Sequence, residues 1–120
     1  MQRRTWGNVA EARAISVLTE LGFNVSFPLT ENNPYDFVIE RAGSCSLVQV
    51  KGSQNQKSEG VYEVDLRSSS GSHRKVMDPN LFDYLVVVTP EDTYVIPADE
   101  VGGNVTLRVN RKGKYSQYLH

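Results

Sequence analysis

The sequence predicts an α/β fold: a mixed central β-sheet with an N-terminal helix packed on it. Three observations predict it. Apolar residues recur at helical spacing near the N-terminus, several later segments alternate apolar and polar residues, and the run Tyr84-Leu85-Val86-Val87-Val88 is apolar at every position. Helical and two-residue periodicities separate helices from half-buried strands. A run apolar on both faces belongs to a strand covered on both sides.

The helix is expected from Trp6 to Leu21, where Ala10, Ala14, Ile15, Val17, Leu18 and Leu21 form the stripe and Gly22 stops it. Phe23 to Phe27 reads as a short strand closed by Pro28, and Thr30 to Pro34 as a polar turn. Tyr35 to Glu40 and Cys45 to Lys51 are strands joined by the turn Arg41-Ala42-Gly43-Ser44, which predicts a hairpin. Gly52 to Gly60 is polar and Gln/Ser-rich and reads as a flexible connection. Val61 to Leu66 is a strand by alternation, and Arg67 to Lys75, with its serine run, is a loop. Phe82 to Thr89 is the buried central strand, and Thr93 to Ile96 is a further strand. The chain after Val101 has no decisive pattern.

At 120 residues, the length is that of one domain, spanning 1–120. Hydrophobic residues at 39% and charged residues at 22% argue against a disordered chain. No stretch approaches the ~20 apolar residues of a membrane helix. The basic start Met1-Gln2-Arg3-Arg4 leads into no apolar run, so no secretory signal is expected. One cysteine, Cys45, makes neither an internal disulfide nor a Cys-built zinc site and reads as a small buried hydrophobe. The expected compartment is the cytoplasm. Net charge is −1, but charge is unevenly spread. Six acids and no Lys or Arg lie between Asp78 and Glu100, whereas Val101 to His120 holds four bases and no acid. Phosphate binding follows local positive surface rather than the net value.

Four polar residues carry the functional reading. Around the helix, Glu11 falls between Leu18 and Ile15, near the middle of the apolar stripe, while Arg13, Ser16, Thr19 and Glu20 occupy the far side. A carboxylate facing the sheet is costly unless paired or bound to a cation. Placement in the first turns of the helix is its structural alternative. Asp36 opens a strand after the Asn32-Asn33-Pro34 turn, where an Asp also serves as a turn residue. Gln49 and Lys51 are two apart on a strand and share a face, opposite Val48 and Val50. A polar face on a half-exposed strand is the alternative for that pair. Taken together, the hairpin sets Asp36 beside Gln49 and Lys51, and the helix can lay Glu11 over the same spot. Two carboxylates and an amide oxygen suit a hard cation such as Mg²⁺. An ammonium beside them suits metal-assisted phosphodiester hydrolysis.

The pattern Gly7-x-x-Ala10-Glu11, Pro34-Tyr35-Asp36, Gln49-Val50-Lys51 resembles the PD-(D/E)xK nuclease superfamily. Gln49 stands where that signature ends in an acid, which resembles the group I intron homing endonuclease branch. Val64-Asp65-Leu66-Arg67-Ser68-Ser69, the segment Phe82 to Pro97 and Lys114-Tyr115-x-x-Tyr118 extend the resemblance over nearly the whole chain. It implies a restriction-endonuclease-like core and a metal-dependent endodeoxyribonuclease. It implies Glu11, Asp36, Gln49 and the Val50 carbonyl around Mg²⁺, with Mn²⁺ as a substitute, and Lys51 beside the attacking water.

The implied partner is DNA. Arg67, Ser68, Ser69, Ser70, His73, Arg74 and Lys75 form one candidate contact surface, and Arg111, Lys112 and Lys114 with Arg108, Tyr115 and Tyr118 a second. His73 reads otherwise as a solvent-exposed loop imidazole, and Trp6, Tyr35 and Phe37 as core. One active site per chain implies a homodimer or homotetramer for cutting both strands. Two alternatives remain at this point: a Holliday-junction resolvase, whose signature has Glu at the position of Gln49, and a catalytically inert DNA-binding module.

Overall fold

The computed structural model describes residues 1–67 and 75–120. Helix α1 (Arg3–Glu20) is followed by β1 (Asn24–Ser26), β2 (Phe37–Arg41), β3 (Ser44–Gly52), β4 (Gln56–Ser58), β5 (Val61–Asp65), β6 (Tyr84–Val88), β7 (Thr93–Pro97) and β8 (Thr106–Val109). Single 3₁₀ turns cover Pro79–Leu81, Ala98–Glu100 and Ser116–Tyr118.

The first sheet has the order β1-β2-β3-β6-β7. Among the described residues only β3 and β6 pair in parallel, and the other neighbours are antiparallel, so the sheet is mixed. The predicted hairpin is present, with Phe37 opposite Val48 and Arg41 opposite Ser44. A second, antiparallel sheet has the order β4-β5-β8. Its outer strands correct the sequence reading: β4 lies inside the segment expected to be a flexible connection, and β8 lies in the undecided tail. All three β4 residues are exposed, so no apolar alternation marks the strand.

Helix α1 begins three residues before the expected start. The Trp6 N–H already donates to the Gln2 carbonyl at 2.9 Å, which brings the indole into the helix–sheet contact. The helix ends as expected. Gly22 has φ 92°, and the N–H groups of Gly22 and Phe23 donate to the carbonyls of Thr19 and Leu18 at 3.0 and 3.1 Å. This pair of bonds closes the last turn and needs the left-handed residue that glycine supplies without strain.

The five-stranded sheet separates two cores. On one face Trp6, Ala10, Ala14 and Leu18 pack against Phe37, Ile39, Val48, Val86 and Val88. On the other, Leu85, Val87, Tyr94 and Ile96 meet Tyr62, Val64, Leu66, Leu107 and Val109 of the second sheet region. Alternate residues of β6 therefore serve both cores, as its unbroken apolar run predicts. Along β3, Val48 faces the helix side and Leu47 the second sheet. By alternation Gln49 and Lys51 point away from the helix.

Three expectations change. Glu11 is half-buried beside the Trp6–Ala10–Ala14–Leu18 line, not at its centre. The small side chains of Ala10 and Ala14 bring the helix close to the sheet along a narrow seam, which leaves Glu11 at the margin. Arg13 does not simply point to solvent: its Nη1 reaches the Thr89 carbonyl at 3.3 Å. Cys45 is exposed, because the start of β3 extends past the cover of α1. Trp6 and Phe37 are buried as expected.

Candidate active site

The site forms where β2 begins and β3 runs on past it. Asp36 immediately precedes β2, and its N–H donates to the Val48 carbonyl at 2.7 Å. Beyond that point no strand among the described residues pairs with β3 on this edge. The Asp36 carboxylate takes over, with Oδ2 accepting the Val50 N–H at 2.7 Å. One short side chain thus replaces a missing strand residue and faces the Val50 peptide. Gln49 Nε2 approaches the Val50 carbonyl at 3.4 Å. Lys51 Nζ donates to the Arg67 carbonyl at 3.0 Å.

Two cavities share Asp36 and Lys51 as a common wall. One, of about 290 Å³, is completed by Glu11 and Gly7 of α1, Val50 and Asp65. The other, of about 460 Å³, is completed by Gln49, Asn33, Lys75 and Leu81. The predicted quartet therefore meets at the end of β3 but is divided, with Glu11 lining one cavity and Gln49 the other. A larger cavity of about 660 Å³ between Pro79–Tyr84 and Pro97–Gly102 is lined by Asp83 and Asp99 and by no Lys or Arg. Its charge does not suit a phosphate.

Burial holds the Asp36 carboxyl above its usual range, against the lowering effects of the Val50 N–H and the Lys51 charge. Burial, then the neighbouring Asp36 charge, raises Glu11 in the same direction. A carboxyl whose ionisation is disfavoured by a neighbouring carboxylate, as that of Glu11 is by Asp36, is relieved by a cation between them. Among the described residues no three His, Cys, Asp or Glu side chains converge on one point. The residues fit Mg²⁺ in its ordinary manner, since that ion is held by one or two carboxylates with water and substrate phosphate. Glu11, Asp36, Val50 and Asp65 line the smaller cavity, and Gln49 lines the other across the shared wall.

Gly52 and Asp65 were not among the candidates from sequence. A Cβ on Gly52 would lie 2.7 Å from Trp6 Nε1 and 2.8 Å from the Ala10 Cβ. The glycine thus lets α1 seat on β3 and deliver Glu11. The signal in the sequence was only a glycine at the end of a strand. Buried Ser53 then ties this end of β3 to β5, its hydroxyl donating to the Glu63 carbonyl.

The expected DNA contacts are scattered. Lys75 lines the larger site cavity. Arg67 is bound to Asp65 through its side chain, with both contacts at 3.0 Å. Ser68, Ser69, Ser70, His73 and Arg74 lie outside the described residues. Arg111 and Lys112 line a separate cavity with Glu59, Glu91 and Asp92. Lys114 stacks over Tyr115 at 5.4 Å.

A family model described as PD-(D/E)XK endonuclease matches residues 1–118. The chain belongs to the PD-(D/E)XK endonuclease family. Among solved structures it is similar to a bacterial homing endonuclease, I-Ssp6803I, with a TM-score of 0.80 and 26% identity over 99% of this chain and 89% of that one. It is also similar to Protein 5.3 of Escherichia phage T7, 26% identical over 113 residues, which are 94% of this chain and 95% of that protein. The nuclease resemblance read from Glu11, Asp36 and Gln49-Val50-Lys51 thus stands, as does the helix-on-mixed-sheet fold. No helix among the described residues is long and apolar enough to cross a membrane.

Proposed function

We propose that this endonuclease hydrolyses DNA phosphodiester bonds with a divalent cation, Mg²⁺ or in its place Mn²⁺, in the manner of a homing-type enzyme. One observation carries the reading: Asp36 and Lys51 form the shared wall of two cavities, with Glu11 lining one and Gln49 the other. Acid and ammonium stand side by side where a phosphate and its attacking water both need them. A bound divalent cation supplies positive charge for the phosphorane-like transition state. Asp36 and Glu11 would hold it, and Asp36 also fixes the Val50 peptide. Lys51, anchored at the Arg67 carbonyl, orients the attacking water and offsets charge on the phosphate. The Gln49 amide would contribute an oxygen without adding a third carboxylate charge. One such site per chain cuts one strand, so double-strand cleavage requires a second protomer related by a twofold axis.

Cleavage of supercoiled plasmid and of a four-way junction, in Mg²⁺, Mn²⁺ or EDTA, tests this with wild type and Lys51→Ala side by side. Metal-dependent cutting should fall by at least about a hundredfold in Lys51→Ala. Preference for the junction would replace the homing-type reading by a resolvase. Cutting that survives in EDTA or in Lys51→Ala would remove the mechanism.

A further inference from the structure

Strand β5 ends at Asp65, whose side chain turns back on the next residues. Its Oδ1 accepts the Arg67 backbone N–H at 2.9 Å and Arg67 Nε at 3.0 Å, and its Oδ2 accepts Nη2 at 3.0 Å. An exposed ion pair alone contributes little. This one differs because a main-chain donor is part of it. The Arg67 backbone is held from other sides as well. Arg67 bridges to Val76, the Leu66 N–H donates to the Val105 carbonyl at 2.8 Å, and the Met77 N–H donates to the Leu66 carbonyl at 2.9 Å. The carbonyl that follows this fixed unit is the one that receives Lys51 Nζ at 3.0 Å. Asp65 also lines the cavity with Glu11, Asp36 and Lys51.

We propose that Asp65 is a positioning residue: by clamping Arg67 it fixes the main-chain carbonyl that holds the Lys51 ammonium in the site. The inference rests on the reading of Lys51 as the working cation of an endonuclease. It changes the role of Arg67, which the sequence marks as a DNA contact. An arginine with two side-chain nitrogens and its backbone N–H bound to one carboxylate acts first as a brace. A misplaced ammonium is enough to lower the rate, because transition-state charge is stabilised only by a group already in place.

The test uses the full chain as wild type, Asp65→Ala and Asp65→Asn, with two readouts. The first is acetic anhydride labelling of lysines without DNA or metal, located by mass spectrometry. Lys51 labelling should rise roughly fivefold in Asp65→Ala, the factor matching loss of an ordinary hydrogen bond. It should rise less in Asp65→Asn, whose amide oxygen still accepts the Arg67 N–H. Lys57, paired with Glu63 of β5 at 4.0 Å, should label as before and so report an intact second sheet. Unchanged Lys51 labelling overturns the proposal whether or not the protein cuts DNA. The second readout is single-turnover plasmid cleavage in Mg²⁺. Asp65→Ala should lower the rate constant roughly tenfold with plasmid affinity unchanged, and Asp65→Asn should restore part of it. Weakened affinity with an intact rate constant would make Asp65 and Arg67 a DNA-gripping pair and overturn the brace. Lys51 labelling that responds to Asp65→Ala in a wild type that does not cut this plasmid would support the brace, because the labelling is read without DNA or metal.

Discussion

Lys51 and Lys75 line the same cavity as Asp36 and Gln49, whereas Arg111 gives its Nε and Nη2 to Asp92 at 2.9 and 3.0 Å. The C-terminal arm repeats the second arrangement, with Arg108 Nε on Glu63 Oε2 at 3.2 Å. In the sequence Lys75 and Arg111 each belong to a basic cluster. In the fold one set of cations lines a recess together with Asp36 and Asp78, and the other is held in ion pairs by carboxylates contributed by β5 and by the turn before β7. A cation already neutralised at 3 Å adds little to the field that a phosphate feels. The lesson is that local charge predicts a phosphate surface only after the acids folded against it have been subtracted.

The largest expected effect lies in the first region. Asp36→Asn keeps an oxygen for the Val50 N–H and removes the charge. Metal-dependent cleavage should be lost, and DNA binding should stay similar or tighten. The same change has a signature in stability. The Asp36 carboxyl is held above its usual range by burial, so the fold binds this proton more readily than the unfolded chain does. That contribution to stability is fully present below the unfolded pKa and is lost as pH rises through the folded one. At neutral pH the metal-free wild type is therefore burdened by the charge, and Asp36→Asn should melt at an equal or higher temperature in EDTA. Mg²⁺ should raise the wild-type Tm by ligand linkage and leave that of Asp36→Asn unmoved. Equal stabilisation of both proteins by Mg²⁺ would place the cation elsewhere and break the contrast between the regions.

A smaller but still large effect concerns how the recess is built. Gly52→Ala brings a methyl group within 2.8 Å of the Ala10 Cβ and 2.7 Å of Trp6 Nε1, so α1 must shift away from β3. Overpacking of this kind costs about 1–3 kcal/mol. The Tm should fall by several degrees, and cleavage should drop further than the Tm alone accounts for, because Glu11 rides on the same helix. A variant as stable and as active as wild type would show that the seat of α1 is not what delivers Glu11.

The parts legible in the sequence are those with a local cause. Helix α1, the β2–β3 hairpin and β6 declare themselves by periodicity, and Gln49 and Lys51 share a face because strand alternation leaves no other arrangement. Asp36 and Glu11 reach the same place through one hairpin and one helix packing, a short chain of inference. The rest depends on distant partners. Strand β4 is exposed throughout and exists through its pairing with β5, while β8 is set by its register against Tyr62 to Asp65. Gly52 matters because of Trp6, far away in the chain. The division of the quartet between two cavities follows from where Asp36 and Lys51 stand between them. The Asp65–Arg67 clamp was legible only as two opposite charges two residues apart, and nothing local says that the Arg67 carbonyl meets Lys51.

The finest test of the contrast uses salt. If Lys75 contributes to the phosphate surface and Arg111 is neutralised by Asp92, the two alanine variants should separate in the salt dependence of DNA binding. Removing one cation that touches a phosphate reduces the slope of log affinity against log salt by about one. Lys75→Ala should show a reduction of that order on a random-sequence duplex. Arg111→Ala should leave the slope near the wild-type value, because a guanidinium already paired with Asp92 releases no counterion from a phosphate. Asp92→Asn sharpens the point in the other direction. It releases the Arg111 guanidinium from its ion pair and should make the slope steeper only if the C-terminal arm lies along the DNA. A steeper slope would make the arm a contact surface held in check by its own acid, whereas no change would confine the phosphate surface to the end of β3.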